Sequence, residues 1–141
     1  TCIEMGRKLK EAGIQVWATV LLGIGGREAS LRHARATGEL LSTMDPDFVG
    51  ALTVMLIPET PLYQDFVKGT FKLPDQTEVL QELREMIACT HLTRGYFFSN
   101  HASNYLPIKA KLPGGKQKAL NLIDTALRGE VQLTPEWMRA L

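Results

Sequence analysis

Three short segments carry the side chains and backbone features from which a site can be built. Gly23-Ile24-Gly25-Gly26-Arg27-Glu28 follows an apolar run. Glycines let a backbone approach a ligand, and a following helix N-terminus favours anionic or polar groups. Glu28 stands where the dinucleotide fingerprint has its third glycine, and no Lys-Ser/Thr pair makes the segment a P-loop. A plain strand-to-helix turn is the other reading. Pro58-Glu59-Thr60-Pro61-Leu62-Tyr63 follows a second apolar run. Its prolines stiffen a loop in which Thr60 either caps a helix or faces a ligand. Ser99-Asn100-His101-Ala102-Ser103-Asn104-Tyr105 is the densest polar cluster in the chain. Its donors and acceptors carry little charge, which suits a neutral or zwitterionic ligand. His101 is the one catalytic candidate, as an acid or base near neutrality. The alternative is a loop whose Asn and Ser side chains bond their own backbone.

Other candidates read as structural. His33 falls on a helix surface and His91 after a helix end, where solvated or capping roles are expected rather than metal ligation. Cys89 reads as a packed thiol, and Cys2 lies too near the chain start to assign. Lys109, Lys111, Lys116 and Lys118 surround Gly114-Gly115. Gln117 replaces the hydroxyl residue of a phosphate loop, so a solvated basic face is expected. The five methionines fall mostly on apolar faces and read as core.

These segments need elements to position them. The pattern predicts a helix over Cys2–Ala12, ended by Gly13. Gln15–Leu22 reads as a strand buried on both faces, and Ala29–Thr43 as a helix with Leu31, Ala34, Gly38, Leu41 and Met44 on one face. Phe48–Ile57 reads as a second buried strand. A short helix runs from Glu59 to about Gly69. Asp75 and Glu78 form a capping box before a helix that turns Val79, Leu83, Met86 and Ile87 inward. A short strand covers Tyr96–Ser99 and a helix Lys116–Arg128. A last helical turn starts at Thr134-Pro135-Glu136, with Trp137, Met138 and Leu141 expected to dock. Alternation of helices with apolar strands predicts an α/β fold, a parallel sheet with flanking helices. Open doubly wound sheets and (β/α) barrels both satisfy it, and in both the ligand sits at the C-terminal ends of the strands. All three candidate segments lie there.

The chain has 141 residues, 45% hydrophobic and 22% charged, enough for one domain with a real core. Sixteen basic and fifteen acidic residues leave a net charge of +1, which gives no strong nucleic-acid signal. No apolar run approaches the ~20 residues of a membrane span. Two cysteines suggest a reducing compartment and an expected cytoplasmic location. They cannot supply the three or four thiolates of an iron–sulfur cluster. The opening at Thr1, already inside a helical pattern, suggests a fragment whose N-terminal part lies elsewhere.

Taken together, the segments resemble radical S-adenosylmethionine (radical SAM) enzymes. VWATVLLGIGGRE resembles their fifth-strand region, where a Gly-x-x-Gly turn lies beside the adenine, and Gly23 and Gly26 fit that pair. LTVMLIPETPLY resembles the exit of the sixth strand in the branch with oxygen-independent coproporphyrinogen oxidases and methylthiotransferases. Pro58, Thr60, Pro61 and Leu62 match, and Glu59 replaces a glycine. FFSNHASNYLP looks like the segment beyond that strand in an uncharacterised Fe–S oxidoreductase group of the superfamily.

The resemblance covers nearly the whole chain but only the C-terminal half of such an enzyme. It implies the C-terminal part of a partial (β/α) TIM-like barrel, with residues 116–141 as a C-terminal helical extension. The parent protein would use S-adenosylmethionine and a [4Fe–4S] cluster to make a 5′-deoxyadenosyl radical that abstracts a substrate hydrogen. The hallmark Cys-x-x-x-Cys-x-x-Cys run is absent, so the cluster ligands lie outside this chain, and Glu28 falls one place beyond the family's acidic position. The implied cofactor wall is Gly23, Ile24, Gly25 and Gly26, and the implied substrate wall is Thr60, Asn100, His101 and Asn104. Partners would be the N-terminal half of the barrel, an unidentified substrate, or a second copy paired along an exposed sheet edge. The fragment alone would be inactive. A self-contained α/β module for a nucleotide or phosphorylated metabolite is the alternative.

Overall fold

The computed structural model describes residues 1–141 as an α/β domain with an open four-stranded sheet. The first helix, α1 (Cys2–Glu11), starts in a capping box between Thr1 and Glu4. It ends where Gly13 adopts a left-handed φ of 76° and the Ile14 N–H bonds Leu9 O. Then come β1 (Trp17–Leu22), α2 (Gly26–Met44), β2 (Phe48–Thr53) and α3 (Pro61–Lys68). The second half holds α4 (Gln76–Cys89), β3 (Gly95–Phe98), β4 (Lys109–Leu112), α5 (Lys116–Leu127) and a 3-10 turn, Glu136–Met138. The expected capping box of α4 is present in both directions, Glu78 N–H to Asp75 and Asp75 N–H to Glu78.

The strands lie side by side in chain order, and β1, β2 and β3 are parallel. Trp17 pairs with Phe48, and Phe48 with Tyr96. The sheet is not parallel throughout. The stretch read as a solvated basic face folds as β4 and pairs antiparallel to β3, with Tyr96 opposite Lys111. Its Lys-Ala-Lys-Leu order is a period-two pattern: Ala110 and Leu112 are buried while both lysines are exposed. The sheet does not close into a barrel.

One face of the sheet makes the core. Leu22, Val49, Ala51, Phe97, Ala110 and Leu112 pack with Ala34 and Leu41 of α2, Leu83, Met86 and Ile87 of α4, and Ile123 of α5. Burying a side chain such as Phe97 stabilises the fold by roughly 2–3 kcal/mol. The opposite face carries Trp17, Phe48, Tyr96 and Phe98, none of them fully buried. Their rings stack across the strands. Trp17 lies 5.1 Å from Phe48 and 5.6 Å from Phe98 between centroids. The indole reaches Phe98 by lying across Gly50, where a Cβ would come within 3.0 Å of its Nε1. Lys109 and Lys111 extend over the Phe98 and Tyr96 rings.

Three expectations need correction. Residues 15–22 do not form a strand buried on both faces: β1 is an edge strand, and Trp17 is 59% exposed. Continuous apolar character records what a strand can pack against, not how many neighbours it has. Regular pairing of the second strand ends at Thr53, not Ile57. At the C-terminus Trp137, Met138 and Leu141 are exposed, and Arg139 is the residue that docks. Its guanidinium donates to Ser103 O at 2.7 Å and to the Tyr105 hydroxyl at 2.6 Å.

Candidate functional site

The C-terminal ends of β1, β2 and β3 bring the three singled-out segments to one end of the sheet. At the exit of β1, Gly23 takes a left-handed φ of 83°, and a Cβ there would lie 2.8 Å from Val54 Cγ1. Its N–H donates to Glu82 Oε1 at 3.0 Å. The Gly26 N–H bonds Gly23 O, and the Arg27 N–H bonds Lys72 O. The turn is therefore built into its surroundings, with three of its amides committed to protein acceptors. Ile24 is 40% exposed and is the apolar group it shows to solvent. Gly25 is the N-cap of α2 without a side-chain cap.

Glu82 is the residue that sequence reasoning missed. It is fully buried on α4 and accepts from Gly23 N–H, from Ser30 Oγ at 2.5 Å and from His33 Nδ1 at 2.8 Å. One carboxylate thus ties α4, α2 and the end of β1 together. His33, expected to be solvated, is its partner and is mostly buried. The available signal was a glutamate amid the inward positions Val79, Leu83 and Met86; a charge there needs partners, and these come from residues 23–33.

At the exit of β2, the Thr60 side chain accepts from Tyr63 N–H at 3.3 Å and donates to Ile57 O at 2.7 Å. Its hydroxyl thus caps α3 on one side and closes the preceding turn on the other. Glu59 beside it has φ 70°. This is the left-handed region that favours glycine, the residue the resembling motif carries there.

The loop after β3 folds over the end of β2. Thr53 N–H donates to Ser103 Oγ at 3.1 Å, and Thr53 Oγ1 donates to Asn104 Oδ1 at 2.9 Å. Asn104 Nδ2 in turn donates to Ala51 O at 2.8 Å. Asn104 is buried and works as a staple between loop and strand. His101 Nδ1 accepts from Ser103 N–H at 3.2 Å and lies 2.9 Å from Ser103 Oγ. That contact assigns the proton to Nε2, which is left as the free donor of the ring. Asn100 is exposed and its side chain makes no hydrogen bond. Of the four residues placed on the substrate wall, Asn100 and His101 thus present free polar groups, while Thr60 and Asn104 hold the backbone.

The chain's last residues complete this end. Tyr105 donates to Glu136 Oε2 at 2.7 Å and accepts from Arg139, whose guanidinium also lies 4.2 Å from the Tyr105 ring centroid. Burial, then the Glu136 hydrogen bond, push the Tyr105 hydroxyl up to about 12. Burial also works to raise Glu136, but the hydrogen bonds from Tyr105 and Arg139 outweigh it and hold that carboxyl below its ordinary value. Beside them an open cleft is lined by Phe66, Pro74, Tyr105 and Glu136. No protein-family model matches the chain, and no curated protein matches its sequence.

Lys116 of the basic stretch has local partners. Lys116 Nζ donates to Ala88 O at 3.2 Å, near the C-terminal end of α4, and lies 3.2 Å from His91 Nδ1. Burial lowers its ammonium from the ordinary lysine value. A cation at a helix C-terminus satisfies a terminal carbonyl and the helix dipole. No three His, Cys, Asp or Glu side chains converge where they could hold a metal ion. No helix is long and apolar enough to cross a membrane.

Proposed function

We propose that this chain forms the nucleoside-facing and substrate-facing wall of a radical S-adenosylmethionine enzyme. The observation that carries the reading is the one-sided sheet. Helices α2, α4 and α5 build the core on one face, while the other face keeps Phe48, Leu52, Tyr96 and Phe98 only partly covered. A doubly wound sheet carries helices on both faces; a barrel segment carries them outside and leaves its inner face for the rest of the barrel. The left-handed backbone at Glu59 adds support, because it occupies the glycine position of the resembling motif.

The cluster does not fit this chain. Cys2 lies on α1 and Cys89 on α4, and no third ligand joins either of them. Its ligands belong to another part of the enzyme. The turn's own contribution toward S-adenosylmethionine is apolar: Ile24 and the Gly25–Gly26 backbone exclude water from one side of a nucleoside. When bound, that cofactor supplies the radical chemistry. Asn100 and the Nε2–H of His101 are the free groups that would orient a polar substrate by hydrogen bonding.

A self-contained phosphate-binding module has less support. A phosphate needs free amides at the turn, and the Gly23, Gly26 and Arg27 amides already have protein acceptors. Equilibrium dialysis with radiolabelled S-adenosylmethionine separates the readings. The 141-residue chain is expected to bind no more tightly than about 1 mM, since it offers one wall only. The coding region's polypeptide extended upstream of Thr1, reconstituted anaerobically, is expected to cleave the cofactor. Tight binding by the 141 residues alone, lost on Gly25→Val, would assign the module instead.

A further inference from the structure

We infer that Arg139 is a positioning residue for His101: through the backbone of Ala102 and Ser103 it holds the imidazole with Nε2–H turned out of the loop as a hydrogen-bond donor. The relay of contacts rests on geometry alone. That the donor meets a substrate rests on the radical-enzyme reading above.

The relay runs through two adjacent peptide groups. The Ala140 N–H donates to Ala102 O at 3.3 Å. The N–H of that same peptide, on Ser103, donates to His101 Nδ1 at 3.2 Å. In the next peptide, Ser103 O accepts from Arg139 Nε at 2.7 Å. An amide whose carbonyl accepts a hydrogen bond is polarised and donates more strongly through its N–H. The hold on Ala102 O therefore strengthens the bond that Nδ1 receives. The Ser103 hydroxyl makes a second contact with the ring. Its oxygen accepts from Thr53 N–H at 3.1 Å, which leaves its hydrogen free to turn to Nδ1, 2.9 Å away.

Nothing inside the loop replaces Arg139. The loop's own turn, closed by Asn104 N–H on His101 O at 3.0 Å, fixes the backbone of residue 101 and not its ring. The Arg139 side chain is 3% exposed and reaches beyond the loop. It donates to the Tyr105 hydroxyl and to Val54 O, at 3.4 Å, just past the end of β2. The same guanidinium thus joins the loop to the strand end that Thr53 and Asn104 also hold. Its planar fork donates in several directions at fixed angles, which a lysine ammonium cannot reproduce. Apolar burial does not dock this last segment, because Trp137, Met138 and Leu141 stay in solvent. Arg139 is its pin, and a buried cation is a costly one unless its donors are all used.

The test is the scalar coupling carried across an N–H···N hydrogen bond. It is read by NMR between the Ser103 amide nitrogen and His101 Nδ1 in the 15N-labelled 141-residue chain. The coupling is expected in the wild-type chain. Arg139→Met keeps a long stem without the donors. It is expected to abolish the coupling and to speed exchange of the Ser103 amide on the order of tenfold, while amides of β1 and α5 keep their rates. If that variant does not fold, Arg139→Lys keeps the charge without the fork and is expected to weaken the coupling. A merely structural arginine would lower the unfolding midpoint and leave the coupling unchanged in a folded variant, which would overturn the inference. So would a wild-type chain without the coupling, or exchange speeded equally throughout the sheet. Cofactor cleavage by the upstream-extended polypeptide is a separate readout, so either the relay or the radical-enzyme reading can fail while the other stands.

Discussion

Strand β4 and strand β1 bound the same sheet, and they are finished differently. On β4, Lys109 and Lys111 alternate with buried Ala110 and Leu112, and both lysines lie over aromatic rings of β3. The loop that leads into β4 is locked by Tyr105, Glu136 and Arg139. On β1 no residue is charged, Trp17 and Leu21 are exposed, and the helix preceding it stands off from the sheet. Yet the far end of β1 is anchored by the buried carboxylate of Glu82. The contrast teaches that β4 is an edge built to meet water. β1 is held in position by its ends and has the chemistry of an interior strand along its length.

The anchor gives the largest test. Glu82→Ala removes the acceptor of three hydrogen bonds and strands the buried Gly23 N–H and Ser30 hydroxyl, so a loss of about 3 kcal/mol is expected in urea unfolding. The matched change on the other side, Arg84→Ala, breaks a half-exposed pair with Asp124 and is expected to lose less than about 1 kcal/mol. Equal losses would break the comparison.

The turns beyond the two strands come next. Gly23→Ala places a Cβ against Val54 in a left-handed backbone and is expected to destabilise by about 2 kcal/mol. A Cβ on Gly114, beyond β4, meets nothing within 4 Å, so Gly114→Ala is expected to stay within about 0.5 kcal/mol.

The lock on the β4 side has a pH signature. Tyr105 ionises at about 12 in the fold, above the ordinary tyrosine value of about 10. The folded state therefore holds a proton that the unfolded chain releases over this range. The stability it contributes is full below pH ~10 and is lost as pH rises toward ~12. Tyr105→Phe is expected to flatten that part of the curve by on the order of 1 kcal/mol, as read from denaturation midpoints at pH 9 and 11.5. The smallest effect lies between the edges, after β2. Glu59→Gly relieves a left-handed residue and is expected to raise stability by roughly 0.5 kcal/mol, against the entropy glycine adds to the unfolded chain. A loss there would show that the Glu59 side chain has a role its backbone conceals.

Much of this architecture was legible in local patterns. Gly13, the Asp75/Glu78 box and the inward row Val79, Leu83, Met86 and Ile87 are features of neighbouring residues, and they marked α1 and α4 closely. The three strand exits were legible because parallel sheets gather them at one end. What failed depended on distant partners. An apolar run cannot reveal whether both faces of a strand are covered, so β1 read as buried on both, whereas Trp17 and Leu21 are exposed. Lys109 and Lys111 hid the period-two pattern of β4 behind their charge. Glu82 needed Gly23, Ser30 and His33, all at least 49 positions away. Arg139 was passed over because Trp137 and Met138 beside it are the more apolar residues, yet the carbonyls of Ser103 and Val54 wanted a donor. Among the candidate site residues, sequence could not separate Asn100 and His101, which keep free polar groups, from Thr60, which caps α3, and Asn104, which staples its loop to β2.

The most direct measurement is to read the coding sequence immediately upstream of Thr1. The account predicts further apolar strands alternating with helices, the nearest of them supplying the parallel neighbour of β1. A Cys-x-x-x-Cys-x-x-Cys run is expected about 100–170 residues earlier, roughly half a barrel. A start codon directly before Thr1, or an upstream region with neither strand pattern nor cysteines, would contradict it.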